Sequence, residues 1–287
     1  MSGESAKISD EPLSTAHPVV LLLLDGWGVA PESEGNAINK KNSKNFSKLL
    51  SEYPAGILES KPFPESDRYS LLGAHHQLTS FLSESKISQM YLMESEKAPA
   101  VAACFVGEDN LGQIECKIIS SPVCDAYNLK PEMSIDELGR LSIKAIREER
   151  FGFILISVAN LEAVAATGDL EATKKTVARV DSLLGKITEE VLLKKGTIII
   201  SSTSGNVEKM IDVRTDLTDK ESTDNPLPFL IVGEEFKGRS LFENDAPGGD
   251  LSLLEPVGGL EDIPATIIGL LKLDKPVSME GEDLLKK

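Results

Sequence analysis

The stretch PVVLLLLDGWGVAPESEGNA, from Pro18 to Ala37, decides how this chain reads. Its apolar run, Val19 through Leu24, is too short to cross a bilayer and has the unbroken character of a parallel strand buried on both faces. Asp25 follows at once, then Gly26 and Gly28. A strand ending this way delivers a carboxylate to the carboxyl edge of a sheet, where open α/β folds place their ligands. The polar loop Glu32 to Asn36 is more elaborate than a turn alone requires.

Downstream, strand and helix signals alternate without internal repeats. Phe46, Leu49 and Leu50 fall at helical spacing within Asn42 to Glu52, and Leu78 to Ser85 reads as a short helix before a strand at Gln89 to Met93. Val101 to Val106 and Ile114 to Ile119 read as strands flanking a turn at Gly107 to Gly112. Ser134 and Glu137 have capping-box spacing and open a helix to about Glu149, after which Phe153 to Val158 is a second buried strand. Asp169 is placed to cap a long helix from Leu170 to Lys195, closed by Gly196 at the C′ position. Strands at Thr197 to Ser202 and Pro228 to Val232 and a last helix at Ile263 to Leu271 complete the series. The alternation predicts an α/β fold with a mostly parallel sheet sandwiched between helices.

With 287 residues, 41% of them apolar, the chain can bury the core of one large domain. A net charge of −16 argues against nucleic-acid and anionic-membrane binding, both of which need basic patches. Cys104, Cys116 and Cys124 lack metal-ligand or Cys-x-x-Cys spacing and read as reduced packing residues of a cytoplasmic protein. The opening MSGESAKISDEPLSTA has no apolar signal core, so residues 1–17 are expected to be a disordered leader ahead of a single domain at 18–287.

The chain resembles the cofactor-independent (2,3-bisphosphoglycerate-independent) phosphoglycerate mutases of the alkaline phosphatase superfamily. The resemblance rests on LDGWGVAPESEGNAI at Leu24 to Ile38, SEYPAGILES at Ser51 to Ser60, YNLKPEMS at Tyr127 to Ser134 and ANLEAVAATGDLEA at Ala159 to Ala172. It continues through SGNVEKMID at Ser204 to Asp212, NPLPFLIVG at Asn225 to Gly233 and DIPATIIGLL at Asp262 to Leu271, all in the family's order. It implies an alkaline-phosphatase-like metalloenzyme domain. It also implies that the family's phosphotransferase insertion, which would fall near residues 60–76, is absent.

Family members transfer a phosphoryl group through a serine nucleophile gripped by two manganese ions, each needing several anionic or imidazole ligands. By the same resemblance Asp25 keeps the first aspartate ligand, and Glu162 stands where a second aspartate is expected. Ala166, Thr203, Ser204 and Ser222 occupy the positions of a histidine, an aspartate and two further histidines. The Gly-Asn-Ser nucleophile segment has no counterpart in Ser60 to His75. The nearest hydroxyls, Ser66 and Ser70, are expected to lack an activating base, and His17, His75 and His76 lie off the ligand positions.

The retained Gly26, Gly28, Thr167, Gly168, Gly205, Asn206, Asn225 and Pro226 are expected to keep the turns that aimed those ligands. With the ions gone, Asp25 and Glu162 should face each other uncompensated, so the pocket should relax open or be refilled by Ala165, Ala166 and hydroxyl residues. The reading is therefore a catalytically silent relative with no catalytic residue. Its metal site is vestigial at Asp25 and Glu162, taking weak manganese or magnesium at most, and the scaffold serves an unidentified protein partner or assembly. The alternative is a residual phosphatase or other hydrolase using Asp25, Glu162 and a hydroxyl from Thr203 or Ser204 around one weakly held divalent ion.

Overall fold

The computed structural model describes residues 17–75, 77–105, 114–212, 214–215, 217–240 and 249–286. The expected leader, apart from His17, the turn at 107–112, Val106, His76 and the Cys104 side chain lie outside the described residues. In chain order the strands are β1 (Val19–Leu24), β2 (Ala55–Leu58), β3 (Gln89–Glu94), β4 (Ile114–Ile119), β5 (Phe153–Val158), β6 (Thr197–Ser201), β7 (Ile211–Asp212), β8 (Leu217–Thr218), β9 (Leu227–Val232) and β10 (Pro256–Gly258). The helices are α1 (Lys44–Glu52), α2 (Glu65–Leu72), α3 (Gln77–Glu84), α4 (Ala98–Phe105), α5 (Ile135–Arg147), α6 (Asn160–Ala165), α7 (Leu170–Leu193) and α8 (Asp262–Leu270). Among the described residues no helix is long and apolar enough to cross a membrane.

Eight strands form one sheet in the order β10-β2-β9-β6-β1-β5-β3-β4, with β7 and β8 making a separate small ribbon. Only β9 runs against its neighbours β2 and β6; the other pairings are parallel. Every residue of β1 and of β5 is buried, and because successive side chains point to opposite faces, both faces of the sheet must be covered. Helices α5 and α7 cover β3, β5 and β6 with α1 and α6 against α7, while α2 packs on α4 and α8.

Three local readings are corrected. The segment read as a strand at Val101 to Val106 is helix α4 as far as Phe105. Ala98, Ala100, Ala102 and Ala103 pay little entropy to become helical, and the proline at Pro99 sits in the first turn, where its missing N–H costs nothing. The capping box of α5 does not form: Ser134 Oγ donates instead to the Ser120 carbonyl at 2.7 Å, and Glu137 pairs with Arg140. At the end of α7 the left-handed residue is Lys195, at φ +54°, not Gly196. The Lys195 and Gly196 N–H groups close the helix on Leu192 and Val191 at 2.9 Å each. Gly196 is needed for space, since a side chain there would strike the Pro18 carbonyl. Asp169 does cap α7, accepting from Ala172 N at 2.9 Å.

The cysteines are not all packing residues. Cys116 is exposed on the edge strand β4 and Cys124 is half-buried, both as free thiols.

Helix α1 has no side-chain cap of its own, and Asp181 from the middle of α7 takes that role. The buried carboxylate accepts from Asn45 N at 2.9 Å and Phe46 N at 2.8 Å, joining two helices far apart in sequence. Asp181→Ala should lower unfolding free energy by about 2–3 kcal/mol, a cap loss plus a stranded buried donor, with Asp181→Asn falling between. Urea unfolding of the three proteins measures it.

Candidate functional site

Asp25 sits one residue past β1, fully buried, with both carboxylate oxygens engaged. Thr203 Oγ1 donates to Oδ1 at 2.6 Å, and Ser157 Oγ donates to Oδ2 at 3.1 Å. The Tyr69 hydroxyl also donates to Oδ2 and lies 3.0 Å from Ser157 Oγ. Burial, reinforced by the Asp25 charge and this hydrogen bond, holds the Tyr69 phenol well above its usual range. Tyr69 therefore stays a donor.

The group that completes the site is Lys97. Its ammonium is bonded to Glu65 and Glu162 and lies 3.9 Å from Asp25 Oδ2, with only 6% of its side chain exposed. Burial by itself would lower its pKa, but the charges of Asp25, Glu162 and Glu65 outweigh that and hold it above the usual lysine range. Lys97 is accordingly a fixed cation. On the outer side Ser222 Oγ donates to Glu162 Oε1 at 3.3 Å.

The topology explains why these residues meet. Asp25, Ser157 and Thr203 lie at or just beyond the carboxyl ends of β1, β5 and β6, which are adjacent in the sheet. Lys97 follows β3, where its N–H closes a turn on the Glu94 carbonyl at 3.0 Å and its carbonyl accepts from Val101 in α4. Glu162 lies on α6, whose Glu162 N–H reaches the Asp25 carbonyl at 3.2 Å. That approach requires Gly26, at φ +97°, because a β-carbon there would sit 2.8 Å from Glu162 N. Glu65 and Tyr69 come from α2, one turn apart on the same face.

Of the residues singled out from the sequence, the structure brings Asp25, Glu162, Thr203 and Ser222 into this cluster. Ser204 joins through its backbone, its carbonyl accepting from Gly26 N at 3.1 Å, while its buried hydroxyl has no hydrogen-bond partner. Ala166 is exposed beyond the end of α6. The expected refilling is seen in part: the Thr203 and Ser222 hydroxyls engage Asp25 and Glu162, but Ala166 is exposed and the space between the carboxylates is taken by a lysine ammonium. Ser70 also departs from expectation: its hydroxyl lies 2.7 Å from His75 Nδ1. The contact is local, because His75 N–H also bonds the Ser70 carbonyl at 2.8 Å, and the pair closes the end of α2 on the exposed surface.

Of the retained glycines, Gly26 and Gly168 are left-handed at φ +97° and +81°, as turns require, whereas Gly28 and Gly205 are explained by a second buried carboxylate. Glu208 accepts from Asn206 N at 2.7 Å, Gly28 N at 3.1 Å, Asn225 Nδ2 at 2.9 Å and the Thr223 hydroxyl. A side chain on Gly28 or Gly205 would run into this carboxylate. Their backbones are not left-handed, so close approach and not turn geometry demands them.

The donor set does not suit a divalent ion. Asp25 has both oxygens committed to hydroxyl donors, the other carboxylates hold the Lys97 ammonium, and no imidazole enters the cluster. Among the described residues no three His, Cys, Asp or Glu side chains stand where they could hold a metal.

Comparison with known proteins places the chain in a family. The sequence pattern of the Metalloenzyme superfamily matches residues 17–275. A 2,3-bisphosphoglycerate-independent phosphoglycerate mutase of Clostridioides difficile (strain 630) is 33% identical over 258 residues, covering 88% of this chain and 47% of that protein. The chain thus spans about half the length of the curated relative. A phosphoglycerate mutase of Leishmania mexicana, solved at low cobalt concentration, superposes with a TM-score of 0.61 at 24% identity, over 71% of this chain and 38% of that one. An alkaline phosphatase superfamily protein of Vibrio parahaemolyticus gives 0.56 at 13% identity, over 96% and 72%, a likeness of fold.

Proposed function

The chain belongs to the metalloenzyme superfamily, and we propose that it is a catalytically silent member in which a lysine has taken the place of the metal ions. The observation that carries this is the Lys97 ammonium, seated among Asp25, Glu65 and Glu162 where the resemblance to phosphoglycerate mutases leads one to expect divalent cations. A monovalent point charge bonded to carboxylates offers no open coordination position to polarise a phosphoryl oxygen or to activate a nucleophile. Thr203, Ser204 and Ser222 are neutral, and their hydroxyls add no charge for ion binding. The scaffold then serves to bind a protein partner or to assemble, in the cytoplasm, with its net charge of −16 keeping it from nucleic acid and anionic membranes.

A second reading is a residual hydrolase, at Asp25 and Glu162 with Thr203 or Ser204 as expected from the sequence or, on the observation of the Ser70 hydroxyl 2.7 Å from the His75 imidazole, at Ser70. One assay separates the two. The purified protein should neither convert 3-phosphoglycerate to 2-phosphoglycerate nor hydrolyse p-nitrophenyl phosphate above background with manganese, magnesium or zinc. Saturable turnover would overturn the silent reading in favour of the hydrolase, at the Asp25 cluster if it is lost in Asp25→Ala and at Ser70 if it is lost only in Ser70→Ala.

A further inference from the structure

We infer that the outer edge of β4 is a self-association surface: two copies of this chain pair their β4 strands antiparallel about a two-fold axis at Cys116, so that one sheet runs on through both. This deepens the proposed function by naming what the scaffold assembles with, and it rests on that reading only there. Strand β4 ends the sheet, and among the described residues no strand pairs with its far side. The Ile119 carbonyl accepts from Ser95 N at 2.9 Å. That turns the backbone of Glu115, Lys117 and Ile119 toward β3 and leaves the N–H and C=O groups of Ile114, Cys116 and Ile118 pointing outward. The opposite edge of the sheet is blunted, since β10 is three residues long and opens on a proline. The β4 edge has six residues and no proline.

The order of residues on β4 says what fits it. Ile114-Glu115-Cys116-Lys117-Ile118 is symmetric about Cys116, with isoleucines outermost and opposite charges between. In an antiparallel pair centred on Cys116, the outward backbone groups of Ile114, Cys116 and Ile118 meet those of Ile118, Cys116 and Ile114 of the second copy as hydrogen-bonded pairs. Glu115 and Lys117 fall opposite each other twice, in the closer non-hydrogen-bonded positions where unlike charges attract. Arg150 holds Glu115 but also serves Glu148, so these two acids keep one charge unmatched for a lysine. On the other face Ile118, 56% exposed in the single chain, lies against the half-buried Ile114 of the second copy. A strand from an unrelated protein gives no reason for this symmetry.

The experiment is sedimentation velocity in reducing buffer over about 5 to 300 µM protein, a range suited to the weak association that a single strand pair supports. The unaltered protein should pass reversibly from monomer to dimer. Cys116→Pro removes an outward N–H that β3 does not use, so it should keep the parent's circular dichroism and stay monomeric. Lys117→Glu, which sets like charges opposite each other twice, should raise the dissociation constant roughly tenfold or more. A short bis-maleimide should link the dimer through Cys116, and the linked product should be missing from Cys116→Ser. An unaltered protein that stays monomeric throughout overturns the inference. So does a dimer that either Cys116→Pro or Lys117→Glu leaves intact, or one that does not cross-link through Cys116. If Cys116→Pro does not fold, Lys117→Glu and the cross-link decide the matter. Turnover by the unaltered protein bears on the silent reading alone, so the two can fail separately.

Discussion

Glu208→Ala should lower the unfolding free energy by about 3–5 kcal/mol, because it strands four donors at once, three of them buried. Two of these, the N–H groups of Gly28 and Asn206, belong to the backbone and cannot reverse their polarity. The other two, the Thr223 hydroxyl and the Asn225 amide, can turn an oxygen inward. Glu208→Gln should therefore cost only about 1–2 kcal/mol, keeping its carbonyl oxygen on the backbone pair and its amide toward the reversible groups. Urea denaturation of the three proteins gives the order. A further check uses the close approach of Gly28: Gly28→Ala should be far less damaging in the Glu208→Ala background, where the carboxylate that its β-carbon strikes is gone. Equal cost in both backgrounds would show that the glycine is there for another reason.

Glu208 also shows how scaffold and site divide. It ties the loop after β1 to the loop after β6 and to the segment before β9, the loops that carry Asp25, Thr203 and Ser222. None of its bonds reaches Asp25, Glu162 or Lys97. The loop geometry thus persists through hydrogen bonds that need no ion, a physical reason why the segments around Gly26, Gly28, Gly205 and Asn225 still resemble the mutases.

The sheet was legible because its central strands are unbroken apolar runs bounded by turn residues, as in Val19–Leu24 and Phe153–Val158, and because Asp169 marks the start of α7 by an ordinary capping rule. Helix α4 was not, since the short apolar segment APAVAACF suits a buried strand as well as a buried helix until its packing is known. Helix α2 was hidden for a different reason. ESDRYSLL has a polar, weakly patterned sequence, and only Pro64 and the acids of its first turn announce it.

The site was half legible for a related reason. Asp25, Glu162, Thr203 and Ser222 could be placed because each follows a recognisable strand or motif. Lys97 sits in GluSerGluLys, which reads as a solvated charge run, and the acids it answers come from α2, α6 and the end of β1. Sequence spacing carries no trace of a pairing across such distances. The one available signal was electrostatic: buried carboxylates that have lost their ions require another cation, and the lysine beyond the next strand but one in the sheet was within reach.

Stability should fall as pH rises through neutrality, and Glu94→Gln should remove much of that fall. Glu94 ends β3 with no exposed surface, and burial pushes its carboxyl from an ordinary 4.5 up to about 7. Ser121 Oγ at 3.1 Å and Ser134 N at 3.3 Å donate to it and oppose the rise, while the neighbouring Glu96 adds to it. Glu96 itself accepts from Tyr127 at 2.5 Å. The folded pKa lies above the unfolded one, so the folded state holds the proton more tightly. This contribution is fully present below about pH 4.5 and is lost as pH rises through about 7. At about 1.4 kcal/mol per pKa unit, the gap corresponds to about 3 kcal/mol between the two limits. Glutamine keeps an acceptor for Ser134 N–H and never ionises. The variant should match the parent near pH 5 and exceed it by about 2–3 kcal/mol at pH 8.5 in urea unfolding. A constant difference between the two proteins across that range would mean that Glu94 already carries its charge in the folded state.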